Sequence, residues 1–175
     1  MDRSGNAGRD AAAGGWTIES QVSRVEPGTS LAPDTTARLL DCTNVVSFKA
    51  ASGTTEEVSA LRAACGDRLA IYSGDDALTL PFMAVGAHGV VSVASNVIPR
   101  EVAHMVEAFR LGKLEAARKL HHKYYPVFKE LFIETNPGPV KAAVALLGKA
   151  GPEIRLPLWQ VSEASLARIR DALVR

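Results

Sequence analysis

The feature that most constrains this chain is an alternation of apolar runs and helical patterns between residues 31 and 98. Three short runs, NVVSFKA, LAIYSG and GVVSVAS, are rich in β-branched residues and almost continuously apolar, which is typical of strands that are buried on both faces. Strands that alternate with helices form βαβ units. The sequence therefore predicts an α/β fold in which parallel strands are covered by helices.

Capping signals locate two of the helices between these strands. Thr54, followed by Glu57 three residues later, has the spacing of a capping box and predicts a helix start. A second helix is predicted from about Asp76 to Val85, with Asp75 or Asp76 as its cap. Pro81 would lie deep inside that helix, where a missing N–H group favours a kink.

The chain is predicted to have three parts. Residues 1–30 begin with a stretch rich in Gly, Ala, Asp and Arg. They are expected to be disordered or irregular, because few large apolar groups offset the entropy of ordering them. Residues 31–98 contain the alternation of strands and helices. Residues 99–175 carry helical patterns only, with Pro99 in a first helical turn and Ser162 as the cap of the last helix.

Composition and motifs exclude several classes of protein. The formal net charge is +1, from 20 basic and 19 acidic side chains, and the bases are dispersed, so neither nucleic acid nor an anionic membrane is an expected partner. Apolar runs are too short for a signal peptide or a membrane span, and a cytoplasmic protein is expected by default. Glycine-rich phosphate loops and a serine-hydrolase elbow are absent from the sequence.

Metal and disulfide chemistry are not expected either. Cys42 and Cys65 are too few for a disulfide scaffold or a cysteine-rich zinc site, and both are predicted to be buried free thiols. His121 and His122 are adjacent, so on a helix they point about 100° apart and cannot easily chelate one ion. No His-Glu-x-x-His spacing occurs in the sequence.

Lys49 is the residue with the clearest chemical potential. It ends the run VVSFK, and partial burial at a strand end would favour the neutral amine, which can attack a ketone and form an imine. The alternative is a lysine that extends from the strand end into solvent. Gly74 follows the next strand. It would let backbone approach a ligand closely, or it marks an ordinary strand–helix junction capped by the aspartates.

Three blocks of sequence, taken together, resemble the dihydrodipicolinate synthase family. They are NVVSFKAASG, LAIYSGDDALTLPFMAVGAHGVVSVASNVIPREV and LFIETNPGPVKAAVALLG, and the resemblance covers about Leu31 to Val161. It implies a partial (β/α)8 TIM barrel, in which residues 31–98 are βα units six to eight and residues 99–175 are the C-terminal helical region. The alternation of strands and helices agrees with that assignment.

The resemblance also implies an activity. Members of that family are similar to class I aldolases: a strand lysine forms an imine with pyruvate, which condenses with aspartate semialdehyde in lysine biosynthesis. The matching lysine is Lys49, in VVSFKAASG, and the matching pyruvate-side residues are Gly74, in YSGDD, and Val91, in GVVSV. Members of the family are usually tetrameric, so a homo-oligomer is expected, and neither a metal nor another cofactor is expected.

Part of the family pattern has no counterpart in this sequence. The first five βα units are unmatched, and ESQVSRVEPGTSL has neither the proton-relay tyrosine nor an arginine in register for the second substrate. Three strands cannot close a barrel, so the first is expected to have an unpaired edge. Three interpretations follow. One is a lyase that pairs with a complementary half-barrel. Another is an inactive, truncated half-barrel that acts as an oligomerisation or binding module, with itself or with a full-length homologue. The third is a truncated gene product with no independent role.

Overall fold

A computed structural model describes residues 16–19 and 31–174 of the chain. The fold divides into two compact units, and the division lies between Val91 and Ser92. The prediction of disorder for residues 1–30 lies largely outside the described residues. Residues 16–19, which fall within that segment, form a strand.

The first unit contains a parallel sheet whose described strands are ordered β1-β2-β3-β4. Their bounds are Trp16–Glu19, Val45–Ala50, Ala70–Ser73 and Gly89–Val90. The second and third strands confirm the predictions made from NVVSFKA and LAIYSG. The last strand is shorter than GVVSVAS suggested, because the Ser92 and Ser95 side chains hydrogen-bond to local backbone and turn the chain into the 3-10 segment Ala94–Asn96.

Strand β1 corrects the prediction that the first strand of the alternation has an unpaired edge. Its backbone pairs with β2 in parallel, with Thr17 opposite Ser47, Ile18 opposite Phe48 and Glu19 opposite Lys49. The run WTIE suits a strand, since aromatic and β-branched residues favour extended backbone. It is only four residues long, which is too short for a periodic pattern to identify it from the sequence.

Three α-helices accompany these strands: α1 (Pro33–Leu39), α2 (Thr55–Cys65) and α3 (Thr79–Ala84). The Thr54 hydroxyl accepts a hydrogen bond from the Glu57 amide at 3.4 Å, which confirms the predicted start of α2. The 3-10 turn Asp76–Leu78 precedes α3. Pro81 is therefore the third residue of α3 rather than an interior one, and in the first turn its missing N–H group breaks no helical hydrogen bond.

The Asp75 side chain caps the 3-10 turn by accepting from the Ala77 amide at 2.8 Å.

The core of the first unit forms between one face of the sheet and the helices. Its largest fully buried members are Phe48, Val58, Leu61, Leu69, Ile71 and Phe82. Cys65 is buried there as predicted, whereas the prediction for Cys42 is wrong. Cys42 lies in the turn after α1, where its amide bonds to the Leu39 carbonyl, and it is exposed.

The described residues of the second unit contain four α-helices. Its helices are α4 (Pro99–Arg110), α5 (Leu114–Glu130), α6 (Gly138–Leu146) and α7 (Glu163–Val174). Helix α4 packs on α5, and α7 packs on both α5 and α6. Buried side chains from all four helices form the core: Met105, Ala117, Phe128, Ala143 and Ile169. None of the helices in the described part of the chain is long and apolar enough to cross a bilayer.

Glu134 ties the start of α7 to the segment that follows α5. One oxygen of its carboxylate accepts hydrogen bonds from the Ser162 amide at 3.0 Å and the Ser162 hydroxyl at 2.8 Å. The Ser162 hydroxyl in turn accepts from the Ser165 amide, which confirms Ser162 as the cap. Hydrogen bonds from Ser165 and Ser162 lower the pKa of Glu134, because they stabilise the charged carboxylate.

Replacing Phe48 by alanine should destabilise the first unit by about 3–5 kcal/mol, since it leaves a cavity at a side chain with 0% exposure. Chemical denaturation followed by circular dichroism measures the change. Cys42→Ala is the matched control in the same unit, and it should change stability by no more than about 0.5 kcal/mol because Cys42 is exposed. Equal effects for the two variants would contradict the described core.

Glu134 should make the second unit less stable in acid. Its pKa is lowered in the folded state from an ordinary value of 4.5, so its contribution is complete above that value and is lost as the pH falls through the folded-state pKa. Urea denaturation of the native protein and of Glu134→Gln, at neutral pH and in acid, tests this. The variant should lose that part of the pH dependence, while Glu115→Gln, at an exposed surface pair with Arg118, should retain it.

Candidate active site

Lys49 lies at the carboxyl end of β2 and on the face of the sheet opposite the core. Successive side chains of a strand point to opposite faces, and its neighbours Phe48 and Ala50 are fully buried against the helices. Lys49 is half-buried. Its backbone lies between Glu19 of β1 and Tyr72 of β3, so the lysine is flanked by a strand on each side.

Gly74 is in close proximity to the Lys49 side chain. The Gly74 amide donates to the Ala50 carbonyl at 2.7 Å, which continues the pairing of β2 and β3 beyond their ends. A Cβ atom at position 74 would lie 3.2 Å from Cε of Lys49 and 3.0 Å from the Ala50 carbonyl oxygen. Only a hydrogen atom fits there without displacing a neighbour. The glycine therefore allows the lysine stem to lie against the backbone of the next strand.

Val91 lies at the corresponding end of the next strand. Its amide donates to the Ser73 carbonyl at 2.8 Å, and Ser73 is opposite Val90. Val91 is therefore level with Gly74. It lies two residues after Gly89, which is opposite Tyr72, so Val91 is on the same face of the sheet as Gly89 and Tyr72. Its side chain is 44% exposed. Lys49 in β2, Gly74 directly after β3 and Val91 directly after β4 thus lie at the same edge of the sheet and on the same face.

Ser73 supports the turn that follows β3. Its hydroxyl is fully buried; it accepts from the Asp75 amide at 3.1 Å and donates to the Asp75 carbonyl at 2.7 Å. These bonds stabilise the turn that directs the Gly74 backbone towards Lys49. Serine hydroxyls commonly stabilise turns of this kind.

Tyr72 and His88 form a second pair that was not predicted. Tyr72 is the register partner of both Lys49 and Gly89, and its ring centroid lies 6.1 Å from that of His88. Nδ1 of His88 accepts from the Ile71 amide at 3.3 Å, so this nitrogen carries no proton in that arrangement. The imidazole therefore links the residue before β4 to the backbone of β3. This is a structural role.

The remaining titratable side chains do not form a metal site in the described part of the chain, where no three His, Cys, Asp or Glu residues converge. The rings of His121 and His122 are 5.4 Å apart in an edge-on arrangement. Burial lowers the pKa of His121, and the neighbouring His122 adds to that effect, because both disfavour the imidazolium.

Comparison with known proteins extends over most of the chain. Residues 24–175 match the Dihydrodipicolinate synthetase family. The chain is 56% identical over 146 residues to the 4-hydroxy-tetrahydrodipicolinate synthase of Synechococcus sp. strain CC9605, which covers 83% of this chain and 48% of that protein. It is 59% identical over 149 residues to the synthase of Parasynechococcus marenigrum strain WH8102, covering 83% and 49%.

Solved structures agree with these sequence matches. The dihydrodipicolinate synthase of Aquifex aeolicus superposes with a TM-score of 0.85 at 38% identity, over 90% of this chain and 54% of that one. The chloride-inhibited synthase of Acinetobacter baumannii, solved in complex with pyruvate, gives a TM-score of 0.84 at 31% identity, over 94% and 57%. The chain thus spans about half the length of the proteins it matches.

The contact between Gly74 and Lys49 can be tested without any activity measurement. Gly74→Ala should destabilise the first unit by about 1–3 kcal/mol through overpacking. Part of that effect should vanish in a Lys49→Ala background, because the Cε atom is then gone, which gives a coupling energy of about 0.5 kcal/mol or more. Urea denaturation of the four proteins measures the cycle, and strictly additive effects would show that the two residues do not touch.

Proposed function

The chain belongs to the dihydrodipicolinate synthetase family, and on that premise we propose that it is the lysine-bearing part of a 4-hydroxy-tetrahydrodipicolinate synthase. Lys49 forms an imine with pyruvate, and this imine condenses with aspartate semialdehyde. The contact between Lys49 and Gly74 is the observation that carries the proposal. It holds a half-buried lysine at the carboxyl ends of parallel strands, where barrel enzymes carry their catalytic groups.

The chemistry requires a neutral amine close to a keto acid. The lysine nitrogen bonds to the keto carbon of pyruvate, the carbonyl oxygen leaves as water after gaining protons, and an imine remains. Loss of a methyl proton then gives an enamine, whose carbon attacks the aldehyde. In this proposal the Gly74 backbone is positioned beside the bound keto acid, and Val91 offers an apolar surface to its methyl group. The complex of the Acinetobacter relative with pyruvate supports this choice of substrate.

A complete site requires more strands than the described residues contain. Four parallel strands cannot close into a barrel, and Val91 is 44% exposed on the site face. We propose that the remaining family strands, from the same polypeptide or from another chain, complete the barrel and cover that face. Groups that transfer protons to the leaving oxygen would come from that part. The complete enzyme would serve lysine biosynthesis in the cytoplasm.

A second candidate function is an inactive module that binds another copy or a full-length homologue. The observation that favours it is the outer edge of β1. On the side away from β2, the backbone of β1 pairs with no other strand among the described residues. Open strand edges readily pair with added strands. Sedimentation of the chain alone, and mixed with a full-length family synthase, separates the two ideas: a chain that stays monomeric in both samples argues against the module.

Treatment with pyruvate and borohydride should trap a reduced pyruvyl adduct on Lys49, because borohydride converts the imine into a stable secondary amine. Peptide mass spectrometry locates the modified residue. Lys49→Arg should abolish the adduct, since a guanidinium does not form the imine. Lys149→Arg is the matched control and should label as the native protein does, because Lys149 is exposed in the second unit.

The same reaction should also be run after adding the first half of the Synechococcus CC9605 synthase as a separate polypeptide. Faster trapping in the mixture would support completion of the site by the missing strands. An absence of adduct on Lys49 in both samples, with a folded protein by circular dichroism, would refute the proposed lyase.

A further inference from the structure

The second unit contains a cavity of about 410 Å³ between the 3-10 segment Ala94–Asn96 and helix α6. Val93, Val140 and Val144 supply apolar wall. The polar side chains that line it belong to Ser92, Asn96, Asn136 and Lys141. Among the described residues that line it, Lys141 carries the only formal charge. The Glu153 carboxylate lies beside Gly151 at the rim of the cavity without lining it.

Lys141 differs from the other lysines of the helical unit. The described part of the chain contains seven lysines; Lys49 and Lys141 are half-buried, and the other five are exposed. Within the described residues the Lys141 ammonium has neither an ion pair nor a hydrogen bond. An anion bound in the cavity would give this ammonium the ion pair that it lacks among the described residues.

A side-chain amide of the wall also suits a negatively charged ligand. The amide nitrogen of Asn96 already donates to the Val93 carbonyl at 3.0 Å. Among the described residues the side-chain amide of Asn136 has no hydrogen bond, so it can donate to a ligand oxygen.

We propose that this cavity binds a small organic carboxylate, with the carboxylate on Lys141 and Asn136 and its carbon chain against the valines. Three valine side chains in the wall favour a ligand with an apolar stem over a bare inorganic anion. The site lies wholly within the second unit. It uses none of the residues of the imine chemistry and does not depend on that proposal.

Isothermal titration with glutarate, a dicarboxylate with a short apolar stem, tests the site on the full chain. Glutarate should bind saturably, and Lys141→Met should weaken its affinity about ten-fold or more, because a charge-assisted hydrogen bond is lost. Lys149→Met is the matched control: Lys149 is exposed and does not line the cavity. Lys49→Met should also bind glutarate like the native protein, which separates this site from the one in the first unit.

Thermal unfolding of Lys141→Met checks that the variant folds, and Lys141→Arg should retain binding because it keeps the positive charge. Equal affinity of the native protein and a folded Lys141→Met would overturn the proposal, as would loss of binding in Lys49→Met. Titration with inorganic phosphate completes the test. Phosphate that binds as tightly as glutarate would overturn the assignment to an organic carboxylate, and much weaker phosphate binding would support it.

Discussion

Parallel pairing between β2 and β3 is the interaction on which the arrangement of the first unit depends. Its register places Lys49 opposite Tyr72 and Ala50 opposite Ser73, and the bond from the Gly74 amide to Ala50 extends it by one step. A slip of one residue would turn Lys49 towards the core and Phe48 towards the open face. Burial of Phe48 and Ile71 against the helices therefore sets the position of the lysine as well as the stability of the sheet.

The turn after β3 places Gly74 against the Lys49 side chain at the end of the sheet. A buried serine hydroxyl, a glycine and a capping aspartate follow one another along the chain, and each has a distinct role. Ser73 stabilises the turn, Gly74 leaves room for the lysine stem, and Asp75 starts the 3-10 turn that leads into α3. Three residues that are adjacent in sequence thus support the strand end, the contact with Lys49 and the following helix. Each of these roles limits which side chain can occupy its position.

In the closed barrel of this family, the face of the sheet that carries Lys49 is the inner face. The relatives are about twice as long as the matched region, and closed barrels bury the inner face of every strand. In the described residues of the first unit that face carries a half-buried lysine and a valine that is 44% exposed. On the proposed function, the lysine would be enclosed and shielded from water only when the barrel is completed.

The sequence by itself determined the α/β class, the strands β2 and β3, the caps at Thr54 and Ser162, and the family. These follow from hydrophobic periodicity, local side-chain hydrogen bonds and matching blocks, which all act over a few neighbouring residues. Only the tertiary structure decided that WTIE pairs with β2, that Cys42 is exposed, and that Lys49 lies against Gly74. Those outcomes depend on register and on packing between residues distant in sequence, and a single chain's pattern does not encode such contacts in any local window.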